Sequence, residues 1–342
     1  MVTSWDIARE ASVSQTTVSR VVNGDRRVAR ETRQRVEEAI ARLGYTPNGV
    51  ARGLATRRTS LVGVVTGDIR NPFYTQLMAA LENRLSEQGL AMVYSSAADR
   101  PEHVSTRMLK EQRVDGLIVT SALIDSEAIH TLAEERFPFV LANRYVDGVE
   151  SDVVTGDNVG GSRVGVEHLI DLGHRRIAVI CGDPQASTSR DRFQGFCDGL
   201  TRAGIELEWE LVRQGDFLYD TAYAEARKLL ELRSPPTAII CLNDVMALAA
   251  LNAAYAAGVS VPRELSVLGF DDIALASWDV FGLTTVRQPL DEMARASVQL
   301  LVQRIEQPQA PVQRLSFPSL LVRRRTTGPA RAEGVAETRD EH

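Results

Sequence analysis

Over the first 45 residues the apolar positions recur every three or four residues, the period of a helix face. Ile7, Ala8 and Ala11 predict a first helix over about 4–11, entered through Thr3-Ser-Trp-Asp6, a short form of the capping box. After the break Ser12-Val13-Ser14, Ser14 can cap a second helix over about 15–23. Val18, Val21 and Val22 turn inward there, and Asn23-Gly24 ends it. Val36, Ile40 and Leu43 mark a third helix over about 30–43, stopped at Gly44. Two helices joined by a tight turn, the second showing polar side chains outward, make a helix-turn-helix.

Beyond Leu61 the pattern changes to short β-rich runs alternating with helical stretches: LVGVV, AMVYSS, GLIVT, FVLAN, RIAVICG, TAIICLN and SVLGFDD. Strand, helix, strand at this rhythm predicts an α/β body of doubly wound parallel sheets. Its length suits two lobes better than one large sheet. Polar residues gather just after the strand ends, at Asp68 and Asn71, Asn143 and Arg144, Asn243 and Asp244, and Asp271 and Asp272. Open α/β sheets bind ligands at these carboxyl ends, so a cleft between the lobes is the expected site.

Between head and body lies PNGVARGLATRR, residues 47–58. Its apolar residues are spaced as on a helix, yet Gly49 and Gly53 interrupt it, each costing roughly 0.5–1 kcal/mol relative to Ala. A helix so short cannot bear its own nucleation cost, so the segment reads as a conditional helix that folds only when packed. From Gly328 the chain is small and charged without Leu or Ile, which predicts a disordered tail.

Charge divides the chain along the same line. Residues 1–58 carry eleven arginines against six carboxylates, a balance of +5, and leave the remainder at −11 within a net charge of −6. A basic head on an acidic body suits a polyanion partner for the head alone. Charged residues begin at Asp6, so no secretion signal is read, and no apolar run suits a membrane span. A cytoplasmic, nucleoid-associated protein without membrane contact is the expectation. Cys181, Cys197 and Cys241 form no CxxC pair and read as small hydrophobes. The five histidines are scattered, and no GxSxG, GxxxxGK[ST] or HExxH occurs. No enzyme activity, catalytic residue, metal or cofactor is therefore expected.

VTSWDIAREASVSQTTVSRVVNG, VARETRQRVEEAIARLGYTPNGVARGL and GDIRNPFY, with RDRFQGF, CLNDVMALAAL, LGFDDI and LTTVRQP further on, resemble the bacterial lactose/galactose-repressor (LacI/GalR) family over nearly the whole chain. The resemblance implies a headpiece over 1–46, a hinge over 47–58, and a periplasmic-binding-protein-like core over 59–328 that binds an effector and dimerises. Lobe 1 would take about 59–158 and 289–318, lobe 2 about 159–288 and 319–328, and the tail 329–342. It implies Gln15 and Thr16 as the specificity pair and Arg20 as the more constant base reader. Gln suits adenine and Arg guanine in the major groove, whereas Ser14, Thr17, Ser19 and Asn23 suit phosphates. In the hinge it implies Leu54 as a minor-groove wedge, with Asn48, Ala51 and Arg52 beside it. In the cleft, Asp68 and Phe73 would line the first lobe's rim, Arg192 and Asp271 form the central pair, and Gln288 lie near a crossover, with Asn143 and Asn243 at strand ends. Phe217 and Trp278 would offer flat apolar faces. One departure stands out: Ser12 occupies a turn position where the family usually has Gly.

These parts predict a homodimeric transcriptional repressor on a pseudopalindromic operator of double-stranded DNA, controlled by a small effector. Amides, carboxylates and an Arg beside aromatics suit a sugar, whose hydroxyls both donate and accept. A purine or nucleoside effector, or a corepressor, stays open. More distant are a doubly wound enzyme and a transport protein with an accessory head.

Overall fold

The computed structural model describes residues 2–22, 25, 27–45, 58–96, 106–107, 110–111 and 114–331. These fall into two compact units, one containing the head and the other the α/β body.

In the head, α1 (Ser4–Glu10), α2 (Gln15–Val22) and α3 (Arg30–Leu43) surround a core of Ile7, Ala8, Ala11, Val18, Val21, Val36 and Ala39. Thr3 and Asp6 close a full capping box on α1. The Ser14 hydroxyl accepts from the Thr17 amide at 3.1 Å, starting α2. Gly44, at φ 61°, ends α3 in the left-handed conformation that glycine adopts without steric cost. Ser12 also has positive φ, 53°, and as a β-carbon residue it pays for the turn that glycine would make freely. Ile40 and Leu43 pack against this core only partly buried, and Ala39 on the same helix is fully buried.

Among the described residues the body holds two six-stranded sheets. The first runs β11 (Arg314–Phe317), β5 (Asp152–Gly156), β4 (Phe139–Ala142), β3 (Gly116–Val119), β1 (Leu61–Thr66), β2 (Ala91–Ser96). The second runs β12 (Leu320–Val322), β10 (Thr284–Arg287), β9 (Ser266–Asp271), β8 (Ala238–Cys241), β6 (Ile177–Cys181), β7 (Val212–Gln214). The pairs β1–β3–β4–β5–β11 are parallel, as are β7–β6–β8–β9–β10, and β12 is antiparallel to β10. Strands such as β3, β4, β6, β8 and β9 are buried at every residue, as sheets covered on both faces require. The chain passes between the sheets three times: after β5, after β10, and between β11 and β12.

Strands β5, β7, β10, β11 and β12 lie outside the runs that hydrophobicity marked. β5 opens with Asp152, a buried carboxylate made tolerable by Arg304 at 2.9 Å. β10 begins with two buried threonines, Thr284 and Thr285, whose hydroxyls bond to Thr327 and Asp244. The chain after Gly328 still engages the second lobe, since the Ala330 amide donates to Leu172 and Arg331 meets Glu264 at 2.9 Å. The start of the expected disordered tail is thus bound. Among the described residues, no helix is long and apolar enough to cross a membrane.

Candidate functional site

On the head, α2 buries Val18 and Val21 and leaves Ser14, Thr16, Ser19 and Arg20 exposed, with Gln15 and Thr17 half-exposed. Ser14 and Thr17 share a hydroxyl hydrogen bond at 2.9 Å, and Gln15 donates to Ser4 at 3.3 Å, fixing the start of the helix. Basic Arg20 stands in the last turn, on the exposed side. This is a polar helix face that can enter a major groove. Asn23 and the hinge residues Asn48, Ala51, Arg52 and Leu54 lie outside the described residues.

In the body, the carboxyl ends of both sheets face one cavity, about 310 Å³ counting its opening to solvent, lined by Phe73, Asn143, Arg192, Phe217, Asn243 and Asp271, which the sequence singled out. Asn71, Tyr74, Arg144 and Thr188 complete it. At its floor Arg192 meets Asp271 at 3.0 Å, with side chains only 3% and 5% exposed. The guanidinium also donates to Asn158 Oδ1 at 2.8 Å and to the Leu242 carbonyl at 2.5 Å, and lies 3.7 Å from the Phe270 ring centroid. Burial pushes the Asp271 carboxyl above its usual range while Arg192 pulls it back, and burial likewise lowers Arg192 against Asp271's attraction. Beneath them Asp244, fully buried, is raised well above the usual carboxylate range by burial and by the neighbouring Asp271.

Three of the lining residues, Asn143 (φ 72°), Phe217 (φ 61°) and Asp271 (φ 119°), have left-handed backbones. Each such residue costs roughly 1–3 kcal/mol, and strain of this kind gathers at functional sites. Phe217 lies directly on Gly182, where a β-carbon would come within 2.1 Å of the ring. Asn243 caps the helix Asp244–Ala256 by accepting from the Met246 amide at 2.9 Å. Asn143 donates to the Thr120 carbonyl at 3.2 Å, but its Oδ1 is buried with no hydrogen-bond partner among the described residues, as is Arg144 Nε.

The other expected residues stand aside from this cavity. Asp68 is held by Arg70 at 2.7 Å, and that pairing lowers its carboxyl pKa. Gln288 sits behind the wall, donating to Asp271 Oδ1 at 2.8 Å. Trp278 is 56% exposed on the surface and does not line the cavity. Sequence reasoning noted Asn71 and Arg144 only as strand-end residues; Tyr74, beside Phe73, and Thr188, one helical turn before Arg192, carried no separate signal. Cys181 and Cys241 are buried with thiols pushed up by burial, and Cys197 is half-buried. Among the described residues, no cluster of His, Cys, Asp or Glu could hold a metal ion.

The family model described as bacterial regulatory proteins, lacI family, matches residues 5–48, and that of the periplasmic binding protein-like domain matches 166–327. The chain is 35% identical to the HTH-type transcriptional regulator DegA of Bacillus subtilis (strain 168), covering 96% of this chain and 98% of that protein. It is similar to the lac repressor dimer bound to operator and the anti-inducer ONPF, with 33% identity, a TM-score of 0.86, and coverage of 96% and 99%. It is also similar to the complex of the transcriptional regulator CelR with cellobiose, with 35% identity, a TM-score of 0.73, and coverage of 95% and 100%. With its helix-turn-helix head and periplasmic-binding-protein-like body, this chain belongs to the lacI family of bacterial regulatory proteins.

Proposed function

We propose that this regulator is a homodimeric repressor whose heads bind the half-sites of a pseudopalindromic operator, and whose cavity takes a small sugar that alters operator affinity. Residues 1–46 form the DNA-reading head, 47–58 the hinge, and 59–328 the effector and dimerisation core. Gln15, Thr16 and Arg20 read bases; Ser14, Thr17, Ser19 and Asn23 position the helix on phosphates. Leu54 enters the minor groove with Asn48, Ala51 and Arg52 beside it. The kink costs a few kcal/mol, offset by the contacts it permits. The molecule acts in the cytoplasm, on the nucleoid, without catalysis.

The observation that carries the effector reading is the cavity's lining. Asn71, Asn143, Asn243, Asp271 and Arg144 stand beside the aromatic faces of Phe73, Tyr74 and Phe217. Side chains able to donate and to accept stand there beside aromatic rings, a combination that a polyhydroxylated ring matches. Asp68 and Gln288 support it from the rim and the back wall. Dimerisation is supported by a surface groove, mostly of the second lobe, lined by Tyr219, Leu248, Leu251, Tyr255, Val280 and Phe281. Tyr255 and Val280 are 84% and 79% exposed there, an apolar patch that suits burial against a second copy.

Thermal-shift measurement against neutral sugars and, in parallel, nucleobases and nucleosides tests the effector class. Saturating sugar raises the midpoint through mass action. A shift with purines alone replaces the sugar by a purine, and no shift with either class overturns the small-effector reading.

A further inference from the structure

Along one rim of the cavity, loops of the first lobe are bonded to the second lobe by contacts that do not themselves line it. The Ile124 amide, after β3, donates to the Gln185 carbonyl at 2.9 Å. After β4, the Tyr145 amide donates to Ser187 Oγ at 3.0 Å. The Tyr145 hydroxyl donates to Asp191 Oδ1 at 2.8 Å and accepts from Arg190 Nη2 at 3.2 Å. Arg190 also grips Asp147 with two bonds, at 2.6 and 2.9 Å. Its guanidinium lies 5.5 Å from the Tyr145 ring centroid, and that of Arg314 lies 5.3 Å from it.

Each link is weak alone, since the Arg190 and Asp147 side chains are 41% and 53% exposed and solvent screens such pairs. One phenol joins them, and shared hydrogen bonds reinforce one another. The chain positions also matter. Tyr145 follows Asn143 and Arg144 directly, while Arg190 and Asp191 lie between Thr188 and Arg192 on one helix. Opening the rim therefore separates cavity residues of the two lobes.

We propose that Tyr145 and Arg190, with Asp147 and Asp191, form a latch that closes the cleft before any ligand enters. Tyr145 and Arg190 are positioning residues, which act through the cavity residues beside them. Because the latch is built of weak links, closure is only marginally favoured, and a ligand that prefers one lobe arrangement can shift the population. The regulatory consequence rests on the effector reading of the cavity; the latch itself does not.

Hydrogen exchange on the ligand-free full chain tests the latch without an effector. In Arg190→Asp, and separately in Tyr145→Phe, the amides of Ile124 and Tyr145 exchange about tenfold faster, as a local opening requires. Amides of the sheet cores, such as Val140 and Ile239, keep their protection, which shows that the variants fold. The swap Asp147→Arg with Arg190→Asp recovers part of the lost protection. Unchanged exchange at Ile124 and Tyr145 in both single variants overturns the latch, as does an equal loss throughout both sheets.

Discussion

Arg192 and Asp271 form a buried ion pair at 3.0 Å in which each nitrogen group of the guanidinium has its own acceptor: Asp271, Asn158 and the Leu242 carbonyl. Asp271 is tied in turn to Gln288, which sits on the crossover after β10, and Asn158 follows the crossover after β5. The pair thus joins the cavity floor to two of the three connections between the lobes. Asp271→Ala leaves the Arg192 charge buried without its partner, a loss of about 3–5 kcal/mol. Asp271→Asn keeps an acceptor for Gln288 and Arg192 and costs less. Denaturant unfolding of the two variants checks the order.

The second lobe is predicted to weaken in acid. His174 is bonded to Thr237 and Ser266 hydroxyls at 2.9 Å and to the Gly328 carbonyl at 3.0 Å, and burial holds its pKa below the ordinary 6.5. Burial lowers His168 in the same way. The unfolded chain therefore takes up these protons first as pH falls. The stability from the neutral rings is complete above the ordinary value and is lost as pH drops from it through the lower folded pKa values. Melting temperature declines over that window, and His174→Gln shows a shallower decline despite a lower starting point. An equal slope in the variant removes His174 as a cause.

Ser12 carries the strain of its turn at φ 53°. Ser12→Gly relieves a left-handed penalty of about 1 kcal/mol, partly offset by the greater freedom of glycine in the unfolded chain. Amides along α1 and α2 should exchange more slowly in the variant; faster exchange refutes strain at this turn.

The head and the inner strands were legible because burial on a helix face, or on both faces of a sheet, writes a clear hydrophobic period. Ser12 was legible as a misfit only through the resemblance to a family that usually has Gly at that turn. β5 and β10 were hidden because Asp152, Thr284 and Thr285 are buried with side-chain partners far along the chain, which no local pattern records. The cavity follows the same division. Asn143, Asn243 and Asp271 could be found because strand ends are predictable. Trp278 could not be placed, since whether an aromatic after a strand turns to the cleft or to solvent depends on the turn Ala274–Ser277 before it. Gln288 was near the mark in position but touches Asp271 instead of the cavity.

On the DNA side, Arg20→Ala lowers operator affinity by more than ~1 kcal/mol and relaxes discrimination at one base position. Binding to a panel of single-base operator variants at fixed salt checks it. A uniform loss at every position would make Arg20 a phosphate contact.

We propose that the cavity and the head are energetically coupled. The direct measurement is fluorescence anisotropy of a selected operator duplex with full-length protein at fixed salt, with and without a saturating sugar chosen by its thermal shift. Coupling changes the operator Kd by about 5–150-fold in the native chain and leaves it little changed in Asp271→Asn. A sugar that binds in the cavity yet leaves operator Kd the same would contradict it.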